Sequence, residues 1–76
     1  MKFIPQIKRT IELKKETFKE YPSYHPIFRV FNGESIQIEA VLGQRGEKLF
    51  WQFEKYEQLF EVPKDQAVPV PLTFMV

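Results

Sequence analysis

Between residues 26 and 53, apolar and polar residues alternate across two glycine-bearing turn signals, and this stretch constrains the fold more than any other. The first signal is Asn32-Gly33, which between alternating runs is a strong hairpin marker. A three-residue loop, Phe31-Asn32-Gly33, sets Phe28 opposite Ile36 and Val30 opposite Glu34. Slipping a strand by one residue would send its apolar set to the other face, so the pattern favours this register. The second signal, Gly43-Gln44-Arg45-Gly46, reads as a four-residue loop that sets Ala40, Ile38 and Ile36 opposite Leu49, Trp51 and Phe53. Phe28, Val30, Ile36, Ile38, Ala40, Leu49, Trp51 and Phe53 then share one core face.

A helical stripe competes for part of this region, because Leu49, Phe53, Tyr56 and Phe60 are spaced four, three and four apart. Phe50 and Trp51 sit poorly on such a helix. The expectation is a strand over 47–53, a single helical turn near Lys55–Gln58, and a short strand over 59–62. Pro63-Lys64-Asp65-Gln66 is a turn. The segment 67–75 alternates strictly and reads as a final strand. Pro69 and Pro71 lack N–H donors, so one side of that strand cannot be paired and it belongs at a sheet edge.

Toward the N-terminus, Pro5, Ile7, Ile11, Phe18 and Tyr21, with Pro22 as a stop, suggest a helix over 6–20. A strand over 7–13 is the alternative, since Ile7, Arg9, Ile11 and Leu13 alternate. The reading is one domain over residues 1–76: a charged segment over 1–22, taken as a helix, and a β meander over 26–76 with a C-terminal edge strand. The fold class is mostly β, or α+β with that helix. The architecture expected is a small antiparallel five-stranded curled sheet or a half-open barrel of SH3-like or OB-like size.

Composition narrows the function classes. The 76 residues include eight Phe, three Tyr and one Trp but no Cys, which removes disulfides, thiolate metal sites and thiol chemistry. Small secreted domains usually rely on disulfides, so a cytoplasmic location is expected. No run approaches the about 20 apolar residues of a membrane span, and the N-terminus does not read as a signal peptide. His25 is the sole histidine, set between Tyr24 and Pro26 in a connector, and only Ser23 and Ser35 could be serine nucleophiles. A hydrogen-bonded or exposed loop histidine is the simpler reading, and the chain is expected not to be an enzyme. No ligand spacing for a metal and no phosphate-binding loop is present, so neither metal nor cofactor is expected. Glu54, Glu57 and Glu61 would cluster only if their segment were helical.

Binding is the role left. Opposite the core face the chosen register places Ile27, Phe31, Val41 and Phe50 with Arg29, an aromatic and arginine mixture suited to a protein partner or to self-association. The expected function is a protein-interaction module: an adaptor, inhibitor or accessory subunit. The alternative is a nucleic-acid-binding barrel. Residues 1–31 carry seven Lys/Arg against three Glu, and residues 32–76 carry four against seven acidic groups. In that reading Lys8, Arg9, Lys14, Lys15, Lys19 and Arg29 meet phosphates and Tyr24 stacks on a base, as Phe28, Phe31 or Phe50 also could.

Overall fold

A computed structural model describes residues 2–71. Five strands form one antiparallel sheet: β1 (Ile4–Lys14), β2 (Ser35–Arg45), β3 (Lys48–Lys55), β4 (Gln58–Pro63) and β5 (Val68–Pro69), in the order β4-β3-β2-β1-β5. The curled-sheet expectation holds. The barrel does not close, because β4 and β5 remain at opposite edges.

The N-terminal segment is a strand where a helix over 6–20 was expected. Arg9 pairs with Ala40, Ile11 with Ile38 and Leu13 with Ile36, in a register that shifts between Pro5 and Ile7. Opposite residues of an antiparallel pair share a face, so Ile11 and Leu13 complete the apolar surface of β2. Tertiary pairing outweighs the helix-forming tendency of Lys, Glu and Leu here. The alternation of Ile7, Arg9, Ile11 and Leu13 was the correct signal.

Because β1 takes the partner position on β2, the expected hairpin over 26–40 does not form. Residues 26–31 are not a strand: Pro26–Arg29 is a 3₁₀ turn with Pro26 at its start, and His25 Nδ1 accepts a bond from the Ile27 N–H at 3.1 Å. Ile27 and Val30 are three residues apart, one 3₁₀ turn, and so face the same way. Both are buried, and so is Phe18 of the first 3₁₀ turn, Lys15–Phe18. Residues 15–34 thus form a loop layer over the sheet, closed at its base where the Lys15 N–H donates to the Glu34 carbonyl at 2.9 Å. Tyr21 meets Phe18 edge to face at a centroid distance of 5.3 Å and donates to Gln66 Oε1 at 2.9 Å.

The second hairpin forms with a tighter loop than expected. Gln44 pairs with Leu49, Arg45 with Lys48 and Leu42 with Trp51, so the turn is Gly46-Glu47. Gly46 has φ +68° at the first turn position, as a type II′ turn requires. The expected register was four residues away. An even slip preserves the faces, so Ile36, Ile38 and Ala40 still share a side with Leu49, Trp51 and Phe53. The helical turn expected near Lys55–Gln58 is a second two-residue reversal, with Tyr56 (φ 54°) and Glu57 (φ 62°) both left-handed and Lys55 paired with Gln58.

The pairing of β2 with β3 covers only Val41–Arg45 against Lys48–Gln52. Beyond it the strands part: Ser35–Ala40 stays with β1, and Phe53–Lys55 with β4. This fork curls the sheet, and the loop layer fills it from the inner side. There the Val30 carbonyl accepts from Lys55 Nζ at 2.8 Å. The core combines Ile11, Leu13, Phe18, Ile27, Val30, Ala40, Trp51, Phe53, Phe60, Val62 and Ala67, with Phe28, Phe31, Ile36, Ile38 and Leu42 packed against it. Phe53 and Phe60, directly opposite each other, stack at 5.4 Å.

From β4 the chain passes through the 3₁₀ turn Lys64–Gln66 and crosses the inner face to reach β5 on the far side of β1, burying Ala67 on the way. The edge position expected for the tail is observed at Val68–Pro69. The Val70 N–H donates to the Thr10 carbonyl at 2.9 Å, so alternation turns the donor-less nitrogens of Pro69 and Pro71 away from β1. The rest of the strand expected over 67–75 falls on residues 72–76, outside the described residues.

Candidate functional site

The loop layer and the β4–β5 crossover both cover the inner face, leaving the outer face of the sheet as a single surface. Strand alternation opposite buried Trp51 and Phe53 places Phe50, Gln52 and Glu54 there. Val41, Gly43 and Arg45 come from β2, Leu59 and Glu61 from β4, and Lys8 from β1. Where β2 and β3 part, this face opens into a shallow groove of about 380 Å³ lined by Lys8, Glu39, Val41, Gln52, Glu54 and Leu59, among others. Phe50 lies directly opposite Gly43, one step diagonally from Val41. Leu59 is 60% exposed.

Polar groups run between Phe50 and Leu59 on this surface. Glu61 accepts hydrogen bonds from the Arg45 guanidinium and from Gln52 Nε2, the latter at 2.9 Å. The Arg45 hydrogen bond lowers the Glu61 pKa, helped by the Gln52 bond and the Arg45 charge, and together these outweigh the opposing effect of partial burial. The Arg45 guanidinium also lies 5.8 Å from the Phe3 ring centroid, and Phe3 packs on Gly43. On the other side of the groove Lys8 pairs with Glu39 at 3.3 Å.

Of the residues expected to form a binding face, the structure brings Val41 and Phe50 together and separates the other three. Ile27 is core, 2% exposed, so it cannot contact a partner. Phe31 is half-buried against Phe18, at 6.0 Å between centroids, and Arg29 is exposed in the loop layer. All three belong to the segment expected as a strand, and their displacement follows from its 3₁₀ geometry. Phe3, Arg45, Leu59, Gln52 and Glu61 complete the site. Treating Gly43–Gly46 as a loop concealed Gly43 and Arg45. Gly46 followed by one residue and then Lys48 was the signal for the shorter turn.

The basic residues of the nucleic-acid reading disperse. Lys8 is on the outer face beside Glu39, whereas Arg9 points inward and donates to the Val70 carbonyl at 2.9 Å. Lys14 is exposed at the end of β1, Tyr24 is 86% exposed, and Arg29 is exposed. Lys15 and Lys19 meet in a cleft of about 450 Å³ shared with Tyr21, Phe28, Glu16 and Glu34. Glu57 sits at a turn and Glu54 opposite Leu59, so the acidic trio does not gather. Among the described residues no three His, Asp or Glu side chains are placed to hold a metal ion, and no helix is long and apolar enough to cross a membrane.

No family model, curated protein or solved structure matches the chain.

Proposed function

We propose that this chain is a small protein-interaction module whose docking surface is the outer face of the sheet around Val41, Phe50 and Leu59, with a second copy of the chain as its first partner. One observation carries this reading. An antiparallel sheet with one packed face normally shows polar side chains on the other, and here that face sets half-buried Val41 and Phe50 diagonally side by side, with exposed Leu59 beyond the Gln52–Glu61 pair. Its rim carries both signs of charge, Lys8 and Arg45 against Glu39, Glu54 and Glu61, so two copies related by a two-fold axis can match unlike charges around Phe50. A chain of 76 residues has a lean core and gains from covering such a surface. The adaptor, inhibitor and accessory-subunit roles all use a surface of this kind.

Sedimentation velocity over a micromolar to millimolar concentration series tests the proposal. Concentration-dependent association is expected, weakened more than tenfold by Phe50→Glu. A monomer at every concentration, or association indifferent to Phe50→Glu, contradicts it.

The cleft holding Lys15, Lys19, Tyr21 and Phe28 supports a second reading, single-stranded nucleic-acid binding. The glutamates in the same cleft oppose it. Titration with mixed-sequence oligonucleotides at low salt decides: binding that weakens with added salt favours this reading, and its absence ends it.

A further inference from the structure

The two edges of the sheet are built differently. At β5 the nitrogens that face away from β1 belong to Pro69 and Pro71, which have no N–H to offer another strand. β4 carries no such guard before Pro63. The two-residue reversal at Tyr56-Glu57 makes Lys55 and Gln58 the hydrogen-bonded closing pair, and bonding then alternates along the ladder to Phe53–Phe60 and Trp51–Val62. Leu59 and Glu61 therefore direct their N–H and C=O groups away from β3, and among the described residues no backbone group bonds to them. Glu61 is an exposed residue although its side chain is only 27% exposed, so much of what is accessible is backbone.

Beside this edge, on the inner side, a groove of about 230 Å³ runs between Phe60 and Val62 of β4 and Tyr21, His25 and Pro26 of the loop layer. The loop wall is braced: Tyr21 and His25 pack edge to face at 5.0 Å, and His25 Nδ1 holds the Ile27 N–H. On the outer side the edge is acidic. Glu61 lies on it, Glu54 is directly opposite Leu59, and Glu57 is in the turn. The nearby cations are engaged, Arg45 by Glu61 and Lys55 by the Val30 carbonyl. Lys64 and Asp65, beyond Pro63, offset each other.

We infer that the β4 edge takes an extended peptide of alternating apolar and basic residues as a sixth, antiparallel strand. Peptide residues opposite Leu59 and Glu61 exchange backbone hydrogen bonds with them, and their side chains share the outer face, where Lys or Arg meets the carboxylates. The residues between them, opposite Phe60 and Val62, place apolar side chains in the groove. The site borders the outer-face surface but uses neither Val41 nor Phe50, and it needs no second copy.

The test is titration of the ¹⁵N-labelled full chain with acetyl-Lys-Val-Lys-Val-Lys-Val-amide. Saturable shifts are expected at Gln58–Val62 and Tyr21–Ile27, with slowed hydrogen exchange at the Leu59 and Glu61 amides. The same peptide with Glu in place of Lys binds at least about tenfold more weakly, since like charges then face each other. N-methylation of the lysine backbone amides, which face β4, abolishes binding, whereas N-methylation of the valine amides, which face away, leaves most of it. Leu59→Pro removes one edge donor that the β3 ladder does not use, and it weakens binding about tenfold. If Leu59→Pro does not fold, the two N-methylated peptides decide. The proposal is overturned by an absence of shifts at Gln58–Val62 up to millimolar peptide, by shifts centred on Val41 and Phe50, or by the charge-reversed or lysine-methylated peptide binding equally well. Leu59 and Glu61 amides already protected from exchange in the peptide-free protein would also overturn it, since a second copy or the chain itself would then hold the edge.

Discussion

Phe3 lies so close over Gly43 that a Cβ on the glycine would clash with the Phe3 ring and stand 2.7 Å from the Ile4 carbonyl oxygen. The contact joins the start of β1 to the centre of the outer face, and the Arg45 guanidinium covers the same ring. Gly43→Ala is therefore expected to cost about 1–3 kcal/mol, as overpacking generally does. Phe3→Ala in the same chain should recover only part of this loss, because the Ile4 backbone cannot rotate aside. Urea unfolding of the single and double variants measures both effects.

Glu61 links stability to pH. Its folded-state pKa lies below the ordinary 4.5. Its contribution is thus complete above the unfolded-state pKa and disappears as pH falls through the folded-state value. The pair with Arg45 is partly exposed, so its contribution is about 1 kcal/mol or less. Glu61→Gln should lower the melting temperature slightly at pH 7, and the difference from the unaltered chain should narrow toward pH 3. Thermal melts across that range check the sign. A difference that widens in acid would mean the ion pair is not formed.

The turn between β3 and β4 holds two non-glycine residues in left-handed conformations, Tyr56 and Glu57. A left-handed residue with a side chain costs roughly 1–2 kcal/mol, and Asn-Gly accommodates the same turn with little strain. Tyr56 is 74% exposed, so its replacement removes little packing. The double substitution Tyr56→Asn, Glu57→Gly is expected to stabilise the fold by about 1 kcal/mol, seen as a raised urea midpoint with unchanged slope.

Phe18 anchors the loop layer. It is fully buried and touches both Tyr21 and Phe31. Phe18→Ala should cost about 3–5 kcal/mol, which is most of what a domain this small possesses. Circular dichroism of the variant at 25 °C should show substantial unfolding. A cooperative melt close to that of the unaltered chain would mean that residues 15–34 do not seal the core.

Much of the sheet was legible in local pattern. Residues 35–42 and 48–53 of the strands Ser35–Arg45 and Lys48–Lys55 were visible because alternation and turn glycines agreed there, while their ends at the turns were read as loop or helical turn, and the edge position of Val68–Pro69 followed from proline's missing donor. The partner of β2 was not legible. Asn32-Gly33 signalled a reversal, and Gly33 does have φ +116°, but nothing local reveals that β2 turns toward Leu13 instead of Phe28. Pairing across more than twenty residues depends on which strand best covers the shared core, and a local window does not contain that information. The site inherited this error. Val41 and Phe50 share the outer face as expected because they lie on correctly read strands, while Ile27, Arg29 and Phe31 leave that face with the segment that carries them.

The proposed function turns on which surface another protein meets, and ¹⁵N–¹H spectra of the unaltered chain recorded during dilution from millimolar to micromolar read it residue by residue. Amide shifts should concentrate at Val41–Arg45, Phe50–Glu54 and Leu59–Glu61, with Ile27 and Phe31 unmoved. Shifts confined to residues 15–34, or none over the whole series, would contradict the assignment of the outer face as the docking surface.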